Sequence, residues 1–189
     1  MAADAELFHP PDLAELRAWL AANHGRGAGV WLVRWRSVTG RPTVDYEDVV
    51  REALCWGWID GQARTIDEER IAQWVAPRKP GSGWAATNKA RILELEQSGR
   101  MQPAGRAVIE RALADGSWTL LDSVEALQEP DDLAAALDAD PAARAAWDTF
   151  PPSVRKLGLT SIAMAKRPET KAARIATIVA RAARGERPS

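Results

Sequence analysis

The sequence is poor in the residues that carry most recognisable chemistry. Cys55 is its single cysteine, so no internal disulfide framework can form. His9 and His24 are its two histidines, and with Cys55 they are too widely separated to suggest a zinc site. A Ser–His–Asp or Cys–His nucleophile would have to use His9, in a Pro-flanked loop, or His24, beside Gly25 at a helix end. Both read as surface histidines. No window approaches 18 consecutive apolar residues, so no transmembrane helix is expected. The opening Met1-Ala2-Ala3-Asp4-Ala5-Glu6 is acidic and lacks an apolar stretch, which argues against a secretory signal. A cytoplasmic location is the expectation. The phosphate-binding patterns GxxxxGK[ST] and GxGxxG are both missing. No catalytic residue, metal or cofactor is therefore expected.

What is abundant is tryptophan and arginine. Nine Trp stand against one Tyr and two Phe, and 20 Arg against 5 Lys. Indoles are large and usually find a partner for the ring N–H, so nine of them imply a Trp-built core or exposed stacking surfaces. Net charge is only -1 but unevenly spread. Residues 107–152 carry ten acidic and two basic side chains, and residues 153–189 nine basic and two acidic. Helices that neutralise one another explain this, as would binding of a charged partner.

Periodicity places a helix over Asp12–Asn23, with Leu13, Leu16, Trp19 and Leu20 on one face. Gly29 to Arg36 reads as a strand, with alternating faces from Val30 onward. Asp45 has the place of an N-cap for a helix ending at Gly57. Short extended pieces follow at 58–60, 62–66 and 71–76, with Asp67 to Arg70 as a hairpin connection. A breaker-rich loop, Pro77 to Gly83, opens onto a helix over 85–97. Beyond it Pro103, Pro130, Pro141, Pro151-Pro152 and Pro168 each start a further helix. The pattern is an α+β fold: a small antiparallel sheet in the N-terminal half, then a predominantly helical C-terminal half. Residues 8–100 read as an α+β core with short strands and 101–185 as a helical segment packed on it, or the two as one single domain, with 186–189 a frayed tail.

Three stretches could carry chemistry. In Leu54-Cys55-Trp56-Gly57-Trp58-Ile59-Asp60-Gly61, period two puts Trp58 and Asp60 on one side of a strand. An aromatic platform beside an acid suits a cation or a planar ligand; the alternative buries Trp56 and Trp58 in the core. Cys55 reads as a small buried apolar residue. The loop Pro77-Arg78-Lys79-Pro80-Gly81-Ser82-Gly83, with Trp84, Asn88 and Lys89 behind it, suits an anion. Ala165-Lys166-Arg167-Pro168-Glu169-Thr170, followed by Arg174, reads as an inter-helix corner that could add cations to a basic site.

These blocks, with Asn88-Lys89-Ala90-Arg91 and Gly99-Arg100-Met101-Gln102-Pro103-Ala104-Gly105, resemble the bacterial YdeI/OmpD-associated family, in order, from Phe8 to Gly185. The resemblance implies bacteriocin protection or antimicrobial-peptide tolerance, and an association with an outer-membrane porin. It brings no catalytic mechanism. Without an apolar leader, a cytoplasmic stress role fits better than direct contact with a porin. The candidate ligand-binding residues are Trp58, Asp60, Arg78, Trp84, Asn88, Lys89, Lys166 and Arg167. Expected partners are a small anionic ligand or a cationic peptide bound in a Trp/Arg cleft, or another protein. An enzyme acting on a small anionic metabolite, with Asp60 as acid or base, is the alternative. Net charge and the lack of a recognised binding motif count against nucleic acid.

Overall fold

The computed structural model describes residues 5–188, which cluster into two compact units. The first comprises the chain up to Gly81 together with Thr87–Asp115; the second comprises Ser82–Ala86 and the chain from Gly116.

The first unit is built on a four-stranded sheet of order β1-β2-β4-β3. Its strands are β1 (Leu7–Phe8), β2 (Val30–Trp35), β3 (Trp58–Thr65) and β4 (Arg70–Pro77). The β2–β4 and β4–β3 pairs are antiparallel as expected, while the two-residue β1 adds a parallel edge beside Trp31 and Leu32. Two helices, α1 (Leu13–Asn23) and α2 (Tyr46–Cys55), cover one face. Asp12 caps α1 by accepting from the Glu15 backbone N–H at 2.9 Å. Leu16 and Leu20 of α1, with Val49 and Ala53 of α2, bury against Val30, Leu32 and Val75. Each Leu or Val side chain removed from water in this way contributes about 1.5–3 kcal/mol. Asp45 stands at the α2 N-cap position but makes no side-chain capping bond.

The opposite face of the sheet explains much of the Trp and Arg content. Trp31 and Trp74 meet edge to face at 5.2 Å, and the Arg64 guanidinium lies 4.1 Å from the Trp31 ring centre. Arg41 covers Trp35 in the same way at 4.3 Å. The two short extended pieces expected at 58–60 and 62–66 are one strand. A bulge between Asp60 and Ala63 inserts an extra residue. It switches the alternation, so that Arg64 opposes Ala72 on the Trp31 side.

Helix α3 (Ala86–Gln97) and helix α4 (Pro103–Ala114) follow. Helix α4 clusters with the sheet unit, not with the helical segment expected from residue 101. Gly105 is the reason. It lies so close to the Cys55 carbonyl that an added Cβ would collide with backbone, and Gln102 N–H donates to that same carbonyl at 3.1 Å. Gly57, at φ +76°, makes the turn from α2 into β3. Glu52, with 4% of its side chain exposed, ties α1 to the α3–α4 turn. It receives two bonds from Arg17, at 3.0 and 3.1 Å, and one from Arg100 at 2.8 Å.

The second unit is helical: α5 (Asp122–Glu125), α6 (Asp131–Asp138), α7 (Pro141–Thr149), α8 (Pro152–Ala163) and α9 (Pro168–Ala183). Pro141, Pro152 and Pro168 stand in the first turn of their helices; Pro130 is instead the N-cap of α6, one position earlier than expected. Trp147 is fully buried among Leu133, Leu137, Leu159 and Ile178, and its indole N–H donates to Glu129 at 2.7 Å. The opposed charge blocks do pair between helices, through Lys156–Glu125 at 2.5 Å and Lys171–Asp132 at 2.7 Å. Among the described residues, no helix is long and apolar enough to cross a membrane.

Candidate functional site

Candidate residues fall in both units, and the sheet unit gathers most of them. Asp60, on the helix-covered side of β3, accepts the Tyr46 hydroxyl proton at 2.6 Å. That bond, with burial and the Asp60 charge, pushes the Tyr46 phenol up to about 12. Arg34, half-buried on the adjacent β2, places its guanidinium 5.8 Å from the Tyr46 ring centre. Its Nε is buried without a hydrogen-bond partner.

Asn88 enters the same cluster through Arg91. The Arg91 guanidinium grips both oxygens of Glu47, at 2.9 and 2.7 Å, and donates to Asn88 Oδ1 at 2.8 Å. Arg91, with Arg51 bonding from the other side at 2.8 Å, holds the Glu47 carboxyl down to about 2. Arg91 also feels the charge of Asp60. Lys89, next on α3, is half-buried.

Arg78 is 7% exposed. Burial lowers its guanidinium to about 10 against a partial counter-effect from Asp60, so its charge stands in a poorly solvated place. It lines a cleft of about 660 Å³ at the end of β4. Trp74, Arg26, Lys79 and the lone carboxylate Glu6 share that lining, and Glu6 pairs with Arg26 at 2.8 Å. Gly27 and Gly29 form part of the floor. At Gly29 an added Cβ would strike the Trp74 ring at 2.5 Å.

Trp58 has a different place from the exposed platform expected of it. It is 1% exposed, meets Trp19 edge-on at 5.8 Å, and donates its indole N–H to the His24 carbonyl at 3.0 Å. Its direction is as expected, since it shares a face with Asp60, but that face is the one α1 and α2 cover. Cys55 is buried as expected, and burial with the Glu52 charge raises its thiol to about 11. Trp74 and Tyr46 were not singled out from the sequence. The first lies within the extended piece expected at 71–76, and the second reads in the sequence as one of an apolar stripe with Val49, Val50, Ala53 and Leu54.

In the helical unit Trp84 is 2% exposed and packs against Trp118 with ring centres 5.0 Å apart. Lys166 and Arg167 are exposed in the corner between α8 and α9, Arg167 at the α9 N-cap position. Among the described residues, no group of three or more His, Cys, Asp or Glu side chains could hold a metal ion.

Fold and side chains together define an α+β sheet unit with a basic, Trp-walled cleft, joined in one chain to an all-helical unit. The chain belongs to the family described as Domain of unknown function (DUF8412), which matches residues 8–108, just over half its length. Residues 126–185 match the family described as Bacteriocin-protection, YdeI or OmpD-Associated. The resemblance noted in the sequence is thus carried by the helical unit, in which Lys166, Arg167 and Thr170 lie. The Trp- and Arg-rich blocks before Val108 fall in the other family's match. This second match supports a defence- or stress-type family. No curated protein and no solved structure matches the chain.

Proposed function

We propose that this is a defence- or stress-type binding protein that captures a small anionic ligand in the Arg78 cleft. One observation carries the reading: Arg26, Arg78 and Lys79 line one cleft with a single carboxylate, Glu6, and with Trp74. Cations gathered at the wall of a cleft focus the field and concentrate anions there. Trp74 adds an apolar wall for a planar or hydrocarbon part of the ligand. The same charge balance disfavours a cationic peptide, and burial of Trp58 removes the platform that would have received one.

The reading places the protein in the cytoplasm and gives the cleft a binding role without chemistry. A second reading, reaction of a small anion with Asp60 as acid or base, draws on the hydrogen bond that the Tyr46 hydroxyl donates to the Asp60 carboxylate.

A thermal-shift screen of the intact chain tests the first reading. The probes are di- and tricarboxylates, inorganic phosphate, nucleotides and a cationic peptide. A ligand present at a hundred times its Kd raises the melting point by about 5–10 °C in a chain of this size. The rise is expected with an anion and is lost in Arg78→Gln and Lys79→Gln. A shift with the peptide alone, or an anion shift that both variants retain, would overturn it.

A further inference from the structure

The helical unit has a cavity of its own, of about 420 Å³, lined by Ser161 on α8 and by Thr170, Ala173, Arg174, Thr177 and Ile178 on α9. Positions 170, 174 and 177 recur at helical spacing, so one face of α9 presents hydroxyl, guanidinium and hydroxyl in sequence. Arg174 Nη1 donates to the Ser161 carbonyl, which anchors the guanidinium across the helix pair. Its fork has five N–H donors, and the remainder make no other hydrogen bond among the described residues.

The Ser161 and Thr177 hydroxyls are committed in a specific way, and among the described residues that of Thr170 is not. Ser161 Oγ donates its proton to the Gly158 carbonyl at 2.7 Å, and Thr177 Oγ1 donates to the Ala173 carbonyl at 2.9 Å. Each has only one proton, so both turn lone pairs, not donors, toward the cavity. No carboxylate lines it. Lys166 and Arg167, exposed in the adjoining corner and without an ion pair among the described residues, add to the positive field.

We propose that this cavity binds a small carboxylate that carries its own hydroxyl or amine on the neighbouring carbon. The carboxylate meets the planar fork of Arg174, which suits two parallel N–H···O bonds. The neighbouring donor points at the lone pairs of Ser161 Oγ or Thr177 Oγ1. A phosphate dianion is the poorer fit, because it would set oxygen lone pairs against those of both hydroxyls. The cavity shares no lining residue with the Arg78 cleft, and neither proposal needs the other.

Nuclear magnetic resonance of the intact ¹⁵N-labelled chain tests it, with L-lactate, propionate and inorganic phosphate as probes. Lactate is expected to shift the Arg174 Nε–H and the Thr170 and Thr177 amides saturably. Propionate lacks the hydroxyl and should bind about fivefold more weakly, the equivalent of one hydrogen bond. Arg174→Gln should abolish both shifts. Ser161→Ala with Thr177→Val, which keeps the guanidinium, should retain carboxylate binding and lose the preference for lactate. Equal binding of lactate and propionate, phosphate binding as tight as lactate, or shifts confined to other residues would overturn the proposal.

Discussion

Tyr46 donates its hydroxyl proton to Asp60 at 2.6 Å, linking the first turn of α2 to the helix-covered side of β3. Because Tyr46 is the chain's single tyrosine, this bond has a spectroscopic signature of its own.

Phenolate absorbance near the red edge of the indole band should titrate with a midpoint near 12, against an ordinary value of 10.0. The folded-state value is raised, so the stabilisation from this bond is complete below pH 10 and fades as pH climbs through about 12. Asp60→Asn removes the carboxylate and should bring the midpoint back toward 10. Circular dichroism read in parallel confirms that the fold persists. A midpoint of 10 in the unaltered chain would contradict the arrangement.

Glu47 gives the opposite pH dependence. Arg91 and Arg51 hold its carboxyl down to about 2 from an ordinary 4.5, so its contribution is complete above pH 4.5 and vanishes as pH falls through about 2. With nearly half of the Glu47 side chain exposed, solvent screening keeps the effect below about 1 kcal/mol. Urea unfolding at pH 7 and pH 3 should show a smaller loss on acidification in Glu47→Gln than in the unaltered chain. Identical losses in the two proteins would remove Arg91 from the role assigned to it.

Gly105 explains part of the Gly99 to Gly105 block in packing terms. In Gly105→Ala the new methyl meets the Cys55 carbonyl, and α4 must back away from α2. Overpacking of this kind costs about 1–3 kcal/mol, readable as a lower urea midpoint. An unchanged midpoint would mean that α4 is not seated on the end of α2.

The α+β pattern, the α1 stripe and the Pro-started helices were legible because each rests on local spacing. Leu16 and Leu20 lie four apart and are both buried, and Pro141, Pro152 and Pro168 stand in the first turns of α7, α8 and α9. The β3 bulge was not legible. It depends on how Asp60 and Ala63 register with Val75 and Gln73, residues fifteen and ten positions away. Parity correctly put Trp58 and Asp60 on one face, but it carries no information about which face helices will cover. The candidate site was legible in its charges and illegible in its walls. Arg78 and Lys79 stand out beside Pro and Gly, whereas Arg26, Glu6 and Trp74 join them through strand pairing and the α1–β2 loop.

The central claim is that the Arg78 cleft takes an anion, and isothermal titration calorimetry tests it most directly. The anion that gives the largest thermal shift is titrated into the intact chain and into Arg26→Gln/Lys79→Gln, which alters the cleft's charge and spares the buried Arg78. Saturable binding that weakens at least about tenfold in the double variant, from loss of two charge-assisted contacts, is the predicted result. Equal affinity in both proteins would contradict it.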